Sequence, residues 1–108
     1  MAGRTAARTA KERGIRERDI EQYLRERVSA IGGRAYKFES PGNAGVPDRL
    51  VLLPEGRIVF AELKAPGKKP TPLQLAQHPR IQQLGFAVWV IHSKAGVDDF
   101  ITALQLGG

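Results

Sequence analysis

Cysteine is absent from this chain, which excludes disulfides, zinc–thiolate sites and cysteine nucleophiles. Histidine is almost absent: His78 and His92 are too few and too scattered for a zinc-hydrolase cluster. Long apolar runs are missing too, and none approaches the ~18–20 residues that span a bilayer. With no h-region of a signal peptide, the expected location is intracellular, in the cytoplasm, with no membrane partner. Internal repeats and low-complexity tracts are lacking. At 108 residues the chain has room for one core and not two. Acidic residues are outnumbered, 11 against 17 basic ones, for a net charge of +6 and a pI of about 10.2. That balance suits a polyanionic partner, most commonly nucleic acid, without identifying one.

The first 13 residues, rich in Arg, Ala and Thr, read as a frayed basic tail, and residues 14–106 as the domain. Ile20, Leu24, Val28 and Ile31 recur at offsets of 4, 4 and 3, one stripe of a helix over residues 15–31 that Gly32-Gly33 ends. Glu17 falls within the stripe and Glu21 at its edge. Residues 34–39 form a first strand, followed by a Ser40-Pro41-Gly42-Asn43 loop. Residues 47–53 and 57–64 form a hairpin about Pro54-Glu55-Gly56. A period of two places Ile58, Phe60, Glu62 and Lys64 on one face, and Asp48, Leu50 and Leu52 on one face of the partner strand. A second helix over residues 73–84 turns Leu73, Ala76, Ile81 and Leu84 inward, and Pro79 should kink or split it. A buried strand over residues 86–91 and a short helix around Val97, Phe100, Ile101 and Leu104 complete the order α-β-β-β-α-β-α, an α/β fold with a mixed sheet flanked by helices.

Two carboxylates interrupt the apolar hairpin. Asp48 opens one strand, Glu62 nearly closes the next, and Lys64 follows two positions later. Glu-x-Lys alone is usually a solvated strand face, and Pro-Asp alone usually a turn; the placement at the rim of buried strands changes that reading. Buried ionisable groups are costly unless paired or metal-bound, and two acids brought together repel unless a cation lies between them. Hydrolysis of a phosphodiester needs a nucleophilic water, charge neutralisation at phosphorus and help for the leaving oxygen, all of which Mg²⁺ or Mn²⁺ on hard oxygen ligands supplies. Asp48 and Glu62 suit that role. A backbone carbonyl near Leu63 adds a further candidate oxygen, and Glu17 or Glu21 a helix-borne one. Lys64 is placed to orient or deprotonate the water, or to stabilise charge on the phosphate.

Pro47-Asp48 followed by Glu62-Leu63-Lys64 resembles the signature of the PD-(D/E)XK nucleases. The wider phrases from Lys37 to Pro54 and from Val59 to Pro70 look like the VRR-NUC branch, the virus-type replication–repair nucleases, with the likeness running from about Glu17 to Phe100. The resemblance implies a restriction-endonuclease-like core in a stand-alone phage or bacterial member, acting on DNA with Mg²⁺ or Mn²⁺. Such members are similar to Holliday-junction resolvases, which implies a homodimer and branched DNA. By position, Asp48 and Glu62 match the metal-binding carboxylates and Lys64 the catalytic lysine. Glu17 or Glu21 matches the acid of the first helix, and Gln74 a glutamine near the active site.

Lys68 and Lys69 follow the site directly, and with Arg49 and Lys37 they are candidate phosphate contacts. Trp89 and Tyr36 read as core or dimer packing, and His92 as a structural polar cap. Two alternatives stay open: a DNA-binding module that kept the fold without catalysis, and a nuclease subunit active only with a helicase or repair partner.

Overall fold

The computed structural model describes residues 15–107, so the basic tail expected over residues 1–13 lies outside the described residues. Helix α1 (Glu17–Ala30) starts where the Asp19 carboxylate accepts the Arg16 backbone N–H at 2.8 Å. Its stripe of Ile20, Leu24 and Val28 is fully buried, each such burial contributing about 1.5–3 kcal/mol. The chain leaves α1 through Gly32, in the left-handed region at φ +89°, and Gly33. A Cβ on Gly33 would stand 2.6 Å from the Leu52 carbonyl oxygen, so only glycine lets this turn lie flat on the sheet.

Strand β1 (Arg34–Lys37) pairs antiparallel with β2 (Arg49–Leu53), and β2 antiparallel with β3 (Arg57–Leu63). The β2–β3 turn places Glu55 at φ 67° and Gly56 at φ 75°. After helix α2 (Pro72–Gln83) the chain returns as β4 (Val88–Ile91), parallel to β3, and ends in helix α3 (Lys94–Gln105). Among the described residues the result is a four-stranded mixed sheet in the order β1-β2-β3-β4 with three α-helices. No helix among the described residues is long and apolar enough to cross a membrane.

The two faces of the sheet differ. Val51, Leu53, Val59, Ala61, Leu63 and Ile91 meet α1 and α3 in the core, which Val97, Phe100, Ile101 and Leu104 complete. Trp89 packs edge-on against Phe100, ring centroids 5.3 Å apart, consistent with its reading as core. The opposite face carries Leu50, Leu52, Ile58, Phe60 and Glu62 by alternation. There Phe60 meets Phe38 and Phe86 edge-to-face, each at 5.9 Å, while Leu52 and Ile58 stay exposed. Tyr36, expected in packing, is 48% exposed on the edge strand.

Helix α2 corrects two expectations. It is not split at Pro79 and runs from Pro72 to Gln83. Leu73 and Leu84, expected inward, are exposed, as is Ala76; the buried side chain is His78, flanked by half-buried Gln74, Gln77 and Ile81. The helix lies over the charged end of β3, and that neighbour turns its polar stripe inward.

Gly33→Ala should force the α1–β1 turn off β2. The expected cost is about 1–3 kcal/mol, the usual range for overpacking, read as a lowered Tm; an unchanged Tm would show that the contact yields.

Candidate active site

The β2–β3 register sets Arg49 opposite Ala61, so one step further sets Asp48 opposite Glu62. Asp48 is anchored there because the Leu63 backbone N–H donates to its Oδ1 at 3.0 Å. Lys64 still donates its backbone N–H to the Ile91 carbonyl at 2.9 Å, which holds it in line with β3, and its Nζ lies 3.8 Å from Glu62 Oε2. The sequence-predicted Asp48, Glu62 and Lys64 are thus brought together at one end of the hairpin.

Gln74 joins them through a helix cap. Its Oε1 accepts the Thr71 N–H at 2.8 Å while Thr71 Oγ1 accepts the Gln74 N–H at 3.2 Å, a reciprocal capping box. The same amide donates from Nε2 to Glu62 Oε2 at 2.9 Å. Gly45 lets the loop before Asp48 close on this helix start: at φ +91°, its Cβ would lie 2.4 Å from the Leu73 carbonyl oxygen.

Sequence reasoning missed His78. One turn beyond Gln74, it is 7% exposed and holds Nε2 3.9 Å from Glu62 Oε1. That is beyond hydrogen-bond range, and both atoms are buried without a partner. The signal was available as a polar pair at i and i+4 on an otherwise leucine-bearing helix.

Burial, and then the Asp48 charge, pushes the Glu62 carboxyl up to about 7; Lys64 and the Asp48 backbone N–H pull it down, and Glu17 adds a smaller upward push. Burial and the Lys64 ammonium lower the His78 pKa, so this imidazole is neutral at pH 7. Of the two helix acids, Glu17 is therefore the one whose charge reaches Glu62, whereas Glu21 is ion-paired with Arg25 at 2.8 Å. Glu17 is exposed, and among the described residues no three Asp, Glu, His or Cys side chains form a group that could hold a metal. The expected three-carboxylate shell is not assembled; the acids of the hairpin are.

The basic residues divide. Arg49, expected at a phosphate, is 7% exposed and turned onto Asp48, with Nη1 3.0 Å from its carbonyl oxygen and 3.8 Å from Oδ2. Such burial leaves little of it to offer DNA. Lys37 is exposed and pairs with Glu39 at 3.4 Å. Lys68 and Lys69 are exposed after β3, and neither side chain has an ion pair among the described residues. His92, expected as a polar cap, is exposed and makes no side-chain hydrogen bond there.

No protein-family model matches the chain. It is 59% identical over 80 residues to "Putative nuclease p44" of Acyrthosiphon pisum secondary endosymbiont phage 1, covering 74% of this chain and 86% of the phage protein. A solved structure described as a VRR_NUC domain is 40% identical and superposes with a TM-score of 0.75, covering 80% of this chain and 94% of that one. The chain belongs to the VRR-NUC nuclease family.

That nuclease fold suggests use of a divalent metal in general, and the residues present fit one. Asp48 and Glu62 offer hard carboxylate oxygens, and Glu62 Oε1 is a buried acceptor with no donor, a state that a cation relieves.

The sign of the pH effect follows. In the fold Glu62 keeps its proton up to about pH 7, against 4.5 ordinarily, so the native state binds more protons between those values and stability falls as pH rises through them. Without metal, Glu62→Gln should remove that fall and raise stability at pH 8 by about 2–3 kcal/mol. Equal Tm–pH curves for variant and wild type would refute the assignment.

Proposed function

We propose that this VRR-NUC chain is an Mg²⁺- or Mn²⁺-dependent endodeoxyribonuclease that hydrolyses phosphodiesters in branched, Holliday-junction-like DNA. The observation that carries the reading is Glu62, a nearly buried carboxylate opposite a second carboxylate, beside an ammonium, with one oxygen lacking any partner. A bound divalent ion would neutralise charge at phosphorus and generate the nucleophile from water.

The chain's own residues do the positioning. Asp48 and Glu62 would hold the ion, with Glu17 and the Leu63 carbonyl as candidate further oxygens; Glu21, committed to Arg25, is the weaker candidate. The Leu63 N–H fixes Asp48 Oδ1, and Arg49 Nη1 stands 3.8 Å from Oδ2. Gln74 fixes Glu62 Oε2 and His78 restricts the swing of Oε1. Lys64 orients the attacking water and stabilises charge on the phosphoryl oxygens. Lys68 and Lys69, and beyond them Lys37, hold flanking phosphates without reading sequence. Action on DNA in the cytoplasm of a bacterial or phage-infected cell agrees with the phage origin of the p44 relative.

Labelled four-way junctions and linear duplexes, incubated with Mg²⁺, Mn²⁺ or EDTA, test this. Cleavage should need the metal and favour the junction, and Asp48→Ala and Lys64→Ala should each lower the rate about 10³-fold or more, the scale of losing a transition-state group. Binding without cleavage in any metal would identify a non-catalytic module, and cleavage restored by a helicase or repair protein a dependent subunit.

We further propose a homodimer, which matches a symmetric substrate. The half-covered sheet face supports it, because Leu52 and Ile58 lie side by side there, 37% and 40% exposed. Ile58→Glu should shift the sedimentation coefficient from dimer to monomer with unchanged circular dichroism; an unaltered dimer would move the interface elsewhere.

A further inference from the structure

Arg49 stands where the alternation of β2 calls for an apolar side chain. The register sets it between Lys37 of β1 and Ala61 of β3, in line with Val51 and Leu53 on the core face. Neither cross-strand neighbour is an acid. Among the described residues its side chain makes one hydrogen bond, from Nη1 to the Asp48 carbonyl, and its Nε is buried with no partner. A guanidinium withdrawn from water and so sparsely answered is costly, and an apolar residue of similar length would serve the core better. Packing alone does not account for it.

What Arg49 does engage is Asp48, at both ends. The Asp48 carbonyl accepts two donors, the Phe38 N–H at 2.8 Å and Arg49 Nη1 at 3.0 Å. Pro47, buried just before it, has no N–H to give the ladder. Of the Asp48 carboxylate oxygens, Oδ1 accepts the Leu63 N–H, whereas Oδ2 makes no hydrogen bond among the described residues and has Arg49 Nη1 at 3.8 Å. Across the hairpin the other acid is matched in the same way, with Lys64 Nζ 3.8 Å from Glu62 Oε2. Two facing carboxylates repel unless positive charge stands near them. Without a metal ion, Arg49 and Lys64 are the charges that meet that need.

We infer that Arg49 is a positioning residue acting through Asp48, a resident counter-cation that holds the free oxygen Oδ2 in place and competes with a divalent ion for it. The inference rests on the nuclease reading and adds a control on its metal site. A guanidinium fixed beside Asp48 keeps the acid pair assembled, and by like charge it opposes the uptake of a divalent cation there. The site is thereby preformed at the expense of metal affinity.

The test uses Mn²⁺ alone, titrated into the full chain without DNA and followed by the electron paramagnetic resonance of the free ion, with Tm measured in EDTA and in saturating Mn²⁺. Arg49→Gln keeps an amide donor for the Asp48 carbonyl and removes the charge. It should lower the Mn²⁺ Kd about tenfold, a modest share of a charge–charge interaction at such range, and its Tm should gain more from Mn²⁺ than the wild-type Tm does. Arg49→Lys keeps the charge and should leave the Kd within about threefold of wild type. A residue that only packs would, when replaced, lower Tm equally in EDTA and Mn²⁺ and leave the Kd unchanged; that result overturns the inference alone. A Lys variant that tightens as much as the Gln variant also overturns it. Should Arg49→Gln fail to fold, the wild-type chain decides: the Arg49 Nε–H resonance should shift on titration with Mg²⁺, and an unmoved resonance overturns the counter-cation. A wild-type chain that takes up no Mn²⁺, even with a four-way junction present, overturns the inference and the nuclease reading together.

Discussion

The burial of one carboxylate organises this molecule's functional end. Glu62 sits in β3 where the alternation would otherwise place an apolar residue against α2, and it is 3% exposed. A charge so placed is costly unless its surroundings answer it. Three neighbours respond to that constraint: the Gln74 amide donates to one oxygen, the Lys64 ammonium stands 3.8 Å away, and the imidazole of His78 closes the other side. Asp48 works in the opposite sense by adding like charge across the hairpin. The result is a carboxyl titrating near 7, incompletely satisfied by the protein itself. A locally unfavourable arrangement held in place by the rest of the fold is characteristic of functional sites.

How the fold holds it is visible in α2. One side chain, Gln74, both closes the capping box with Thr71 and grips Glu62, so the helix start and the carboxylate share a single amide. Gly45 brings the loop before Asp48 against the same turn. Local helix stability and site geometry are therefore coupled, and the core formed by α1 and α3 on the other sheet face is left free to serve packing alone. This division of labour explains why the hydrophobic stripe of α1 is complete while the buried stripe of α2 is polar.

The same division decides what was legible in the sequence. Ile20, Leu24 and Val28 at helical spacing, and two strands about Pro54-Glu55-Gly56, gave away α1 and the hairpin because both are governed by local periodicity. The pairing of Asp48 with Glu62 followed from the hairpin, since an antiparallel register fixes which residues face each other. The orientation of α2 did not follow. Its leucines suggested an inward apolar face, yet a helix takes its inward side from its neighbour, and the neighbour here is a buried acid that no periodicity within α2 reveals. Arg49 was misjudged for a related reason: alternation gave it the core face, as its pairing with Ala61 shows, but its charge suggested solvent. Its guanidinium reconciles the two by bonding the Asp48 carbonyl.

The helices among the described residues are too few to cover a four-stranded sheet on both sides. Helices α1 and α3 go to the core face, and α2 is spent near Glu62. What remains uncovered then has a physical logic. The apolar strip at Leu52 and Ile58 lies on the central strands, where a partner surface can bury it, and Arg34 and Tyr36 carry the same face onto the edge strand opposite Leu52 and Leu50. Apolar surface left exposed without a partner costs solubility, and cations on an edge strand discourage pairing with another sheet. Arg34 thus blocks one kind of association, edge to edge, while β1 leads from it toward Asp48. In the proposed reading, the limited helix cover of a small domain leaves one sheet face open to a second copy, with Arg34 opposite Leu52 at its edge.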